Sequence, residues 1–254
     1  TVSIFLISLS FAYSQPTMLW TNNINIGNDS TSIVYDATRD YSGNIITASL
    51  HPIPDNWAGV LNKYSNTGTL IFERNLPVFG DLRGYQYKLT TDRSGNIYVA
   101  VDGGNQGSKQ VLIKYSPGGD SIWANTYSIQ GVPAGDYNTT VQDVASDADG
   151  NIYVVSTLRL YNSTTFGYDQ FLLVTRYSAS GVKLWEDKTI TAGAISSPYP
   201  TGYEDIGFGK MIVDNFNNII ICISYRWNEA ANIYQTKTIK YGSGGGEPQW
   251  IATV

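Results

Sequence analysis

The chain has 254 residues and a formal net charge of −5, with 42% hydrophobic, 13% aromatic and only 15% charged residues. So few charges and so many aromatics exclude a disordered chain, and a helical bundle, which needs Ala, Glu, Lys and Leu in quantity, is disfavoured. The acidic balance excludes a nucleic-acid partner held by a basic patch, and the lone Cys222 and lone His51 exclude a disulfide framework, a cysteine zinc site and most triad chemistry.

Residues 2–13 read VSIFLISLSFAY, an apolar run without charge, followed by the small-x-small pattern Ala12-Tyr13-Ser14. The run is too short to span a bilayer comfortably and matches the core and cleavage site of a secretory signal peptide. Residues 1–14 are therefore expected to be a signal peptide truncated at its basic start, with a mature, exported chain from 15 to 254 and no membrane span. Met18-Leu19-Trp20 then resembles a solitary outer strand.

The remainder is one unit repeated four times. The first signal is Asp-x-x-Gly-Asn-Ile: Asp40 to Ile45, Asp92 to Ile97 and Asp147 to Ile152, with a degenerate copy from Asp214 to Ile219 in which Asn217 replaces the glycine. The second is a cation and tyrosine closed by a glycine: Lys63-Tyr64 with Gly68, Lys114-Tyr115 with Gly119, Arg176-Tyr177 with Gly181, and Lys240-Tyr241 with Gly245. The third is the aromatic that follows: Phe72, Trp123, Trp185 and Trp250. Asp-x-x-Gly-Asn between β-rich runs is a hairpin turn, in which the Asp caps the backbone, the glycine takes positive φ and the Asn tolerates it. Apolar runs such as Ile97 to Val101 and Ile219 to Ile223 are strands, and no segment has helical periodicity. The units, at about 31–75, 86–127, 139–190 and 208–254, are four-stranded antiparallel meanders of the size of propeller blades. The predicted fold is an all-β propeller of four complete blades plus the strand near Trp20, forming part of a larger ring with further domains; a compact four-bladed ring is the alternative.

These motifs resemble bacterial β-propeller repeats of the SBBP type and are similar to quinoprotein-like blades, in which a tryptophan docks between blades. The resemblance covers residues from about Trp20 onward. It implies an exported bacterial protein, secreted or at the cell surface, and leaves the activity open.

Chemistry is sparse. Asp147-Ala-Asp149-Gly150-Asn151 has the look of a calcium loop, but its ligand spacing fails and it reads as a plain turn. No metal, cofactor or catalytic set is expected. The tryptophans read as blade-packing core, Cys222 as a small buried hydrophobe, and His51 as a solvated loop residue. Connections two apart share a side in a meander, so the repetitive turns lie at one end and the variable loops at the other. Tyr161, Tyr168, Tyr203, Tyr225 and Trp227 are the candidate ligand-binding residues of that variable end, since loops on a rigid scaffold carry function. The expected role is non-enzymatic binding of a glycan, peptide or partner protein. The alternatives are a lyase or quinoprotein-type dehydrogenase, and a structural spacer.

Overall fold

The computed structural model describes residues 32–53, 56–76, 86–102, 110–129, 136–164, 167–190, 206–228 and 233–254. Residues 1–14, expected to be a signal peptide, the strand proposed near Trp20, and Tyr203 lie outside these residues. The described residues are all strands, turns and bends, with no helix among them.

Four four-stranded sheets follow one another, each an antiparallel meander in chain order. The first comprises β1 (Ile33–Arg39), β2 (Ile45–Ile53), β3 (Asn56–Tyr64) and β4 (Leu70–Leu76). The second comprises β5 (Tyr87–Thr91), β6 (Ile97–Val101), β7 (Val111–Tyr115) and β8 (Ser121–Thr126). The third comprises β9 (Tyr137–Ser146), β10 (Ile152–Asn162), β11 (Gly167–Tyr177) and β12 (Lys183–Ile190). The fourth comprises β13 (Ile206–Val213), β14 (Ile219–Asn228), β15 (Ile233–Tyr241) and β16 (Trp250–Thr253). The first strands of successive sheets pack on one another, β1 on β5, β5 on β9 and β9 on β13. The first strands thus line the junctions between successive sheets, and each fourth strand is the opposite edge, or rim, of its sheet.

The sequence repeat builds each sheet through two stapled turns. Gly43 N–H donates to the Asp40 carbonyl at 3.0 Å, and Asp40 N–H donates to the Asn44 carbonyl at 3.0 Å. Gly43 has φ +85°, which only a residue without Cβ adopts cheaply. Asp40 Oδ1 accepts the Ser42 and Asn44 N–H groups, and Oδ2 accepts the Asn44 side-chain amide at 2.8 Å. Asp92, Asp147 and Asp214 repeat this pattern with Asn96, Asn151 and Asn218. The Asn therefore acts as a donor to the carboxylate and not, as its turn preference suggests, as a second residue of positive φ. In the fourth copy Asn217 itself takes φ +61°, so the turn survives loss of its glycine. At the third connection, Ser65, Ser116 and Ser178 accept the N–H four residues on, closing the second kind of turn.

Both faces of each internal sheet are covered, so inner strands read as continuous apolar runs. All five residues of β6 are buried. The cores lie between sheets. Ile46, Ala48, Leu61 and Phe72 of the first meet Leu89, Ile97, Val99 and Ile113 of the second. Tyr98, Ala100 and Leu112 meet Val144, Ile152 and Val154, and Tyr153, Val155 and Leu172 meet Met211, Ile219 and Ile221.

The third repeat signal closes each junction. A Cβ on Gly119 would lie 2.9 Å from the Phe72 ring, and one on Gly181 would lie 3.0 Å from Trp123. Gly245 sits on Trp185 in the same way, and the Trp185 ring stacks on Tyr241 with centroids 5.9 Å apart. Each aromatic of one rim strand thus packs under the positive-φ glycine of the next sheet. Trp250 departs from the expectation of a packed core tryptophan, being 44% exposed.

Two other readings are corrected. His51 lies in β2 and is buried, with Nε2 2.6 Å from Ser49 Oγ. Its neighbour Pro52 suggested a loop, but the β2–β3 hairpin extends two positions beyond His51 to Ile53. Cys222 is exposed. It occupies the position of buried Ala48, Ala100 and Val155, but on the outward side of the fourth sheet, where no described sheet covers it.

Candidate functional site

The ends of the sheets differ. At one end lie the stapled turns. There each Asp carboxylate carries a load of donors, and in three sheets a cation: Lys63 reaches Asp40 at 3.0 Å, Arg176 reaches Asp147 at 3.4 Å and Lys240 reaches Asp214 at 3.2 Å. Burial raises the Asp40 carboxyl, but the Asn44 and Lys63 hydrogen bonds outweigh it and hold it below the ordinary range. The Asp147 oxygens that a calcium ion would need already accept from Asp149 N–H, Asn151 and the Tyr153 hydroxyl. This end is closed by its own hydrogen bonds.

The opposite end carries the second and inter-sheet connections. Strands β10 and β11 are 11 residues long, against five for β6 and β7. β6 and β10 start at the turn end and β7 and β11 finish there, so the six further residues per strand extend the third ladder about 20 Å beyond the paired residues of the second. Tyr161 is the last residue but one of β10, is 38% exposed, and stands opposite Tyr168 in the register with β11. Asn162 donates to Asp169 at 3.0 Å and Thr164 N–H donates to Asn162 at 2.9 Å, fixing the tip. Tyr225 and Trp227 lie on the corresponding far stretch of β14, where the ladder is irregular between Arg226 and Asn228. The topology therefore places Tyr161, Tyr168, Tyr225 and Trp227 at the end opposite Gly43, Gly95 and Gly150. Tyr203 lies outside the described residues.

Beneath this end, between the second and third sheets, lies a buried polar group that the motif reading did not single out. Gln110 is 1% exposed; its N–H donates to Thr139 Oγ1 at 3.0 Å and its side-chain oxygen accepts from Ser156 Oγ at 2.7 Å. Asp102, just past β6, is 2% exposed and accepts the Gln86 N–H at 2.9 Å. Burial pushes its carboxyl up to about 7, against the pull of backbone donors at Gln86 and Val141. A departure from the repeat was the available signal, since the first and third sheets carry Leu50 and Thr157 at the position of Asp102. Burial pushes His51 in the first sheet down, with the Glu73 charge opposing. Among the described residues no three His, Cys, Asp or Glu side chains come together as a metal cluster.

The fold defines a β-propeller-like protein of four-stranded blades. It is similar to two solved structures of one polysaccharide lyase, an ulvan lyase of family PL25, one of them bound to -[GlcA(1-4)Rha3S]-. Each aligns with a TM-score of 0.55 at 12% identity, covering 86% of this chain and 55% of the lyase chain. This chain thus spans about half the length of the lyase it matches, and the likeness is one of fold. No family model and no curated protein matches the sequence.

Proposed function

We propose that this chain is a propeller portion of an exported bacterial protein of the SBBP-repeat kind, and that it binds a polysaccharide at its variable end. The observation that supports this is the asymmetry of the blades. One end is sealed by four stapled turns, and the other projects a long hairpin with Tyr161 exposed near its tip. Aromatic rings offer flat apolar faces to sugar rings, while neighbouring Asn and Asp groups supply directional hydrogen bonds. The ulvan lyase likeness adds a precedent of fold for carbohydrate handling. Titration calorimetry against a panel of uronate-containing and neutral polysaccharides tests the reading. One polysaccharide should bind, and the pair Tyr161→Ala with Tyr168→Ala should weaken it at least about tenfold with the melting temperature unchanged. Failure of every polysaccharide, with capture of a protein or no ligand at all, would leave the partner-protein or spacer role. Export is tested by locating the full-length product outside the cytoplasm.

The fold likeness favours one second reading, a lyase. Incubation with uronate-containing polysaccharide should then generate the ultraviolet absorbance of an unsaturated uronate. Binding without that absorbance leaves the non-enzymatic reading standing.

A further inference from the structure

Three blade junctions repeat one set of contacts, and each set has a giver and a receiver. The giver is the fourth strand of one blade. The receiver is the second kind of turn in the blade that follows in the chain, together with the tyrosine before it. Phe72 packs under Gly119 in one cluster with Tyr115, Trp123 under Gly181 with Tyr177, and Trp185 under Gly245 with Tyr241. The residue two positions after each aromatic reaches the same neighbour. Arg74 donates to the Gly118 carbonyl at 3.2 Å, Asn125 donates to the Gly181 carbonyl, and Asp187 accepts from the Tyr241 hydroxyl at 2.7 Å.

The first blade carries a receiver of the same build. Gly68 has φ +86°, beside +87° at Gly119 and +88° at Gly181, and its N–H donates to the Ser65 carbonyl at 2.9 Å, as those of Gly119 and Gly181 do to Ser116 and Ser178. Tyr64 is buried to the same degree as Tyr115 and Tyr177, at 5%, 5% and 4% exposed. In all three junctions the giver comes from upstream in the chain, so the giver for Gly68 belongs before β1.

From Ser14 to Thr31 the sequence holds one aromatic, Trp20. Its setting is that of a giver. Leu19 stands before it as Ile71, Ile122 and Leu184 stand before theirs, and Asn22 lies two positions after it, where the second blade has Asn125. Trp20 precedes Asp40 by 20 residues, the spacing of Phe72 from Asp92, so the connection has the length that already spans one junction. Trp250 is the rival giver and fits less well. Gln249 precedes it, and Ala252, two positions on, has no hydrogen-bonding side chain.

We propose that the receiver of the first blade is the seat of this chain's own segment 18–23, with Trp20 under Gly68 against Tyr64 and the Asn22 amide donating to the Gly68 carbonyl. The segment lies outside the described residues, and the first blade supplies the surface that selects it. A positive-φ glycine lets backbone approach a ring closely, and a tyrosine beside it adds an aromatic wall.

Hydroxyl-radical oxidation of the full chain, read residue by residue by mass spectrometry, tests the seat. Trp185 and Trp250 serve as internal references for a covered ring and an open one. Trp20 should oxidise at the rate of Trp185 and at least about threefold more slowly than Trp250, at every protein concentration. Gly68→Ala sets a methyl against the ring, as a Cβ on Gly119 would lie 2.9 Å from Phe72, and should raise the Trp20 rate to that of Trp250. Gly43→Ala brings the same backbone strain at φ +85° in the same blade, but its Cβ meets nothing nearer than 3.8 Å and should leave Trp20 covered. A Trp20 that oxidises as fast as Trp250 in the parent chain overturns the proposal. So does a covered Trp20 that Gly68→Ala leaves unchanged, which seats the segment elsewhere. So does a Trp20 that uncovers on dilution to monomer, which makes the occupant a second copy's segment. If Gly68→Ala does not fold, benzoylphenylalanine in place of Trp20 decides: photocrosslinking within one chain to residues 64–68 supports the seat, and any other attachment, or none, overturns it.

Discussion

At the turn end, Asp40, Asp92, Asp147 and Asp214 accept the same backbone and Asn donors in blade after blade. At the loop end, Asp102 is held by Gln86 and β9 in one blade only, and its carboxyl is pushed up to about 7 where that of Asp40 is held down. The same residue type thus serves opposite electrostatic purposes at the two ends. A carboxylate saturated with donors is a fixed strut, whereas a carboxyl buried with few donors titrates near neutrality. The difference teaches that the repeat conserves its scaffold at one end and leaves chemistry free to vary at the other.

Breaking the scaffold should have the largest effect. Trp185→Ala removes the ring under Gly245 and should cost roughly 3–5 kcal/mol in urea unfolding, as for large-to-small core changes. A wild-type midpoint for that variant would show that the glycine turns hold without their aromatics. Next comes the strut. Asp147→Ala leaves Asn151, Tyr153 and Arg176 without their shared acceptor and should cost about 3 kcal/mol. Asp214→Ala, in the more exposed fourth turn, should cost clearly less, and equal losses would break the account of the strut as a buried device.

The loop end should respond to pH instead. The folded-state pKa of Asp102 is raised, so its contribution is present in full below the ordinary carboxylate value near 3.8 and is lost as pH rises through about 7. Asp102→Asn should therefore gain stability relative to wild type between pH 5 and pH 8, by a few kcal/mol at most. The His51 imidazole, held down by burial, works in the other sense, costing stability as pH falls below its ordinary range. Because both chains carry His51, the difference between them isolates Asp102; a difference independent of pH would mean that Asp102 stays charged. The smallest effect on stability is expected at Tyr161→Ala, within about 0.5 kcal/mol, because Tyr161 is 38% exposed on a projecting hairpin.

The blades were legible in the sequence because their signals are local. An Asp that caps its own turn, a residue of positive φ three positions on, and an apolar run after it all act within about ten residues, and they recur four times, with glycine in the first three turns and Asn217 in the last. The ends were legible for the same reason, since strand alternation alone assigns every connection to a side. His51 was misplaced because a Pro directly after it, one residue before the end of the strand, reads as a loop until the opposing strand is known. Cys222 was misplaced because an apolar strand position says nothing about whether another sheet lies over it.

The sequence by itself determined the strands, their turns and the order of the blades, since each follows from contacts within one unit. Only the tertiary structure decided which aromatics are core and which are surface. Phe72, Trp123, Trp185 and Trp250 occupy one repeat position, yet three lie under the glycine of a following blade and the fourth is 44% exposed. Burial in this architecture belongs to the junction between two blades and not to either blade alone, so identical motifs acquire different environments according to what stands next to them.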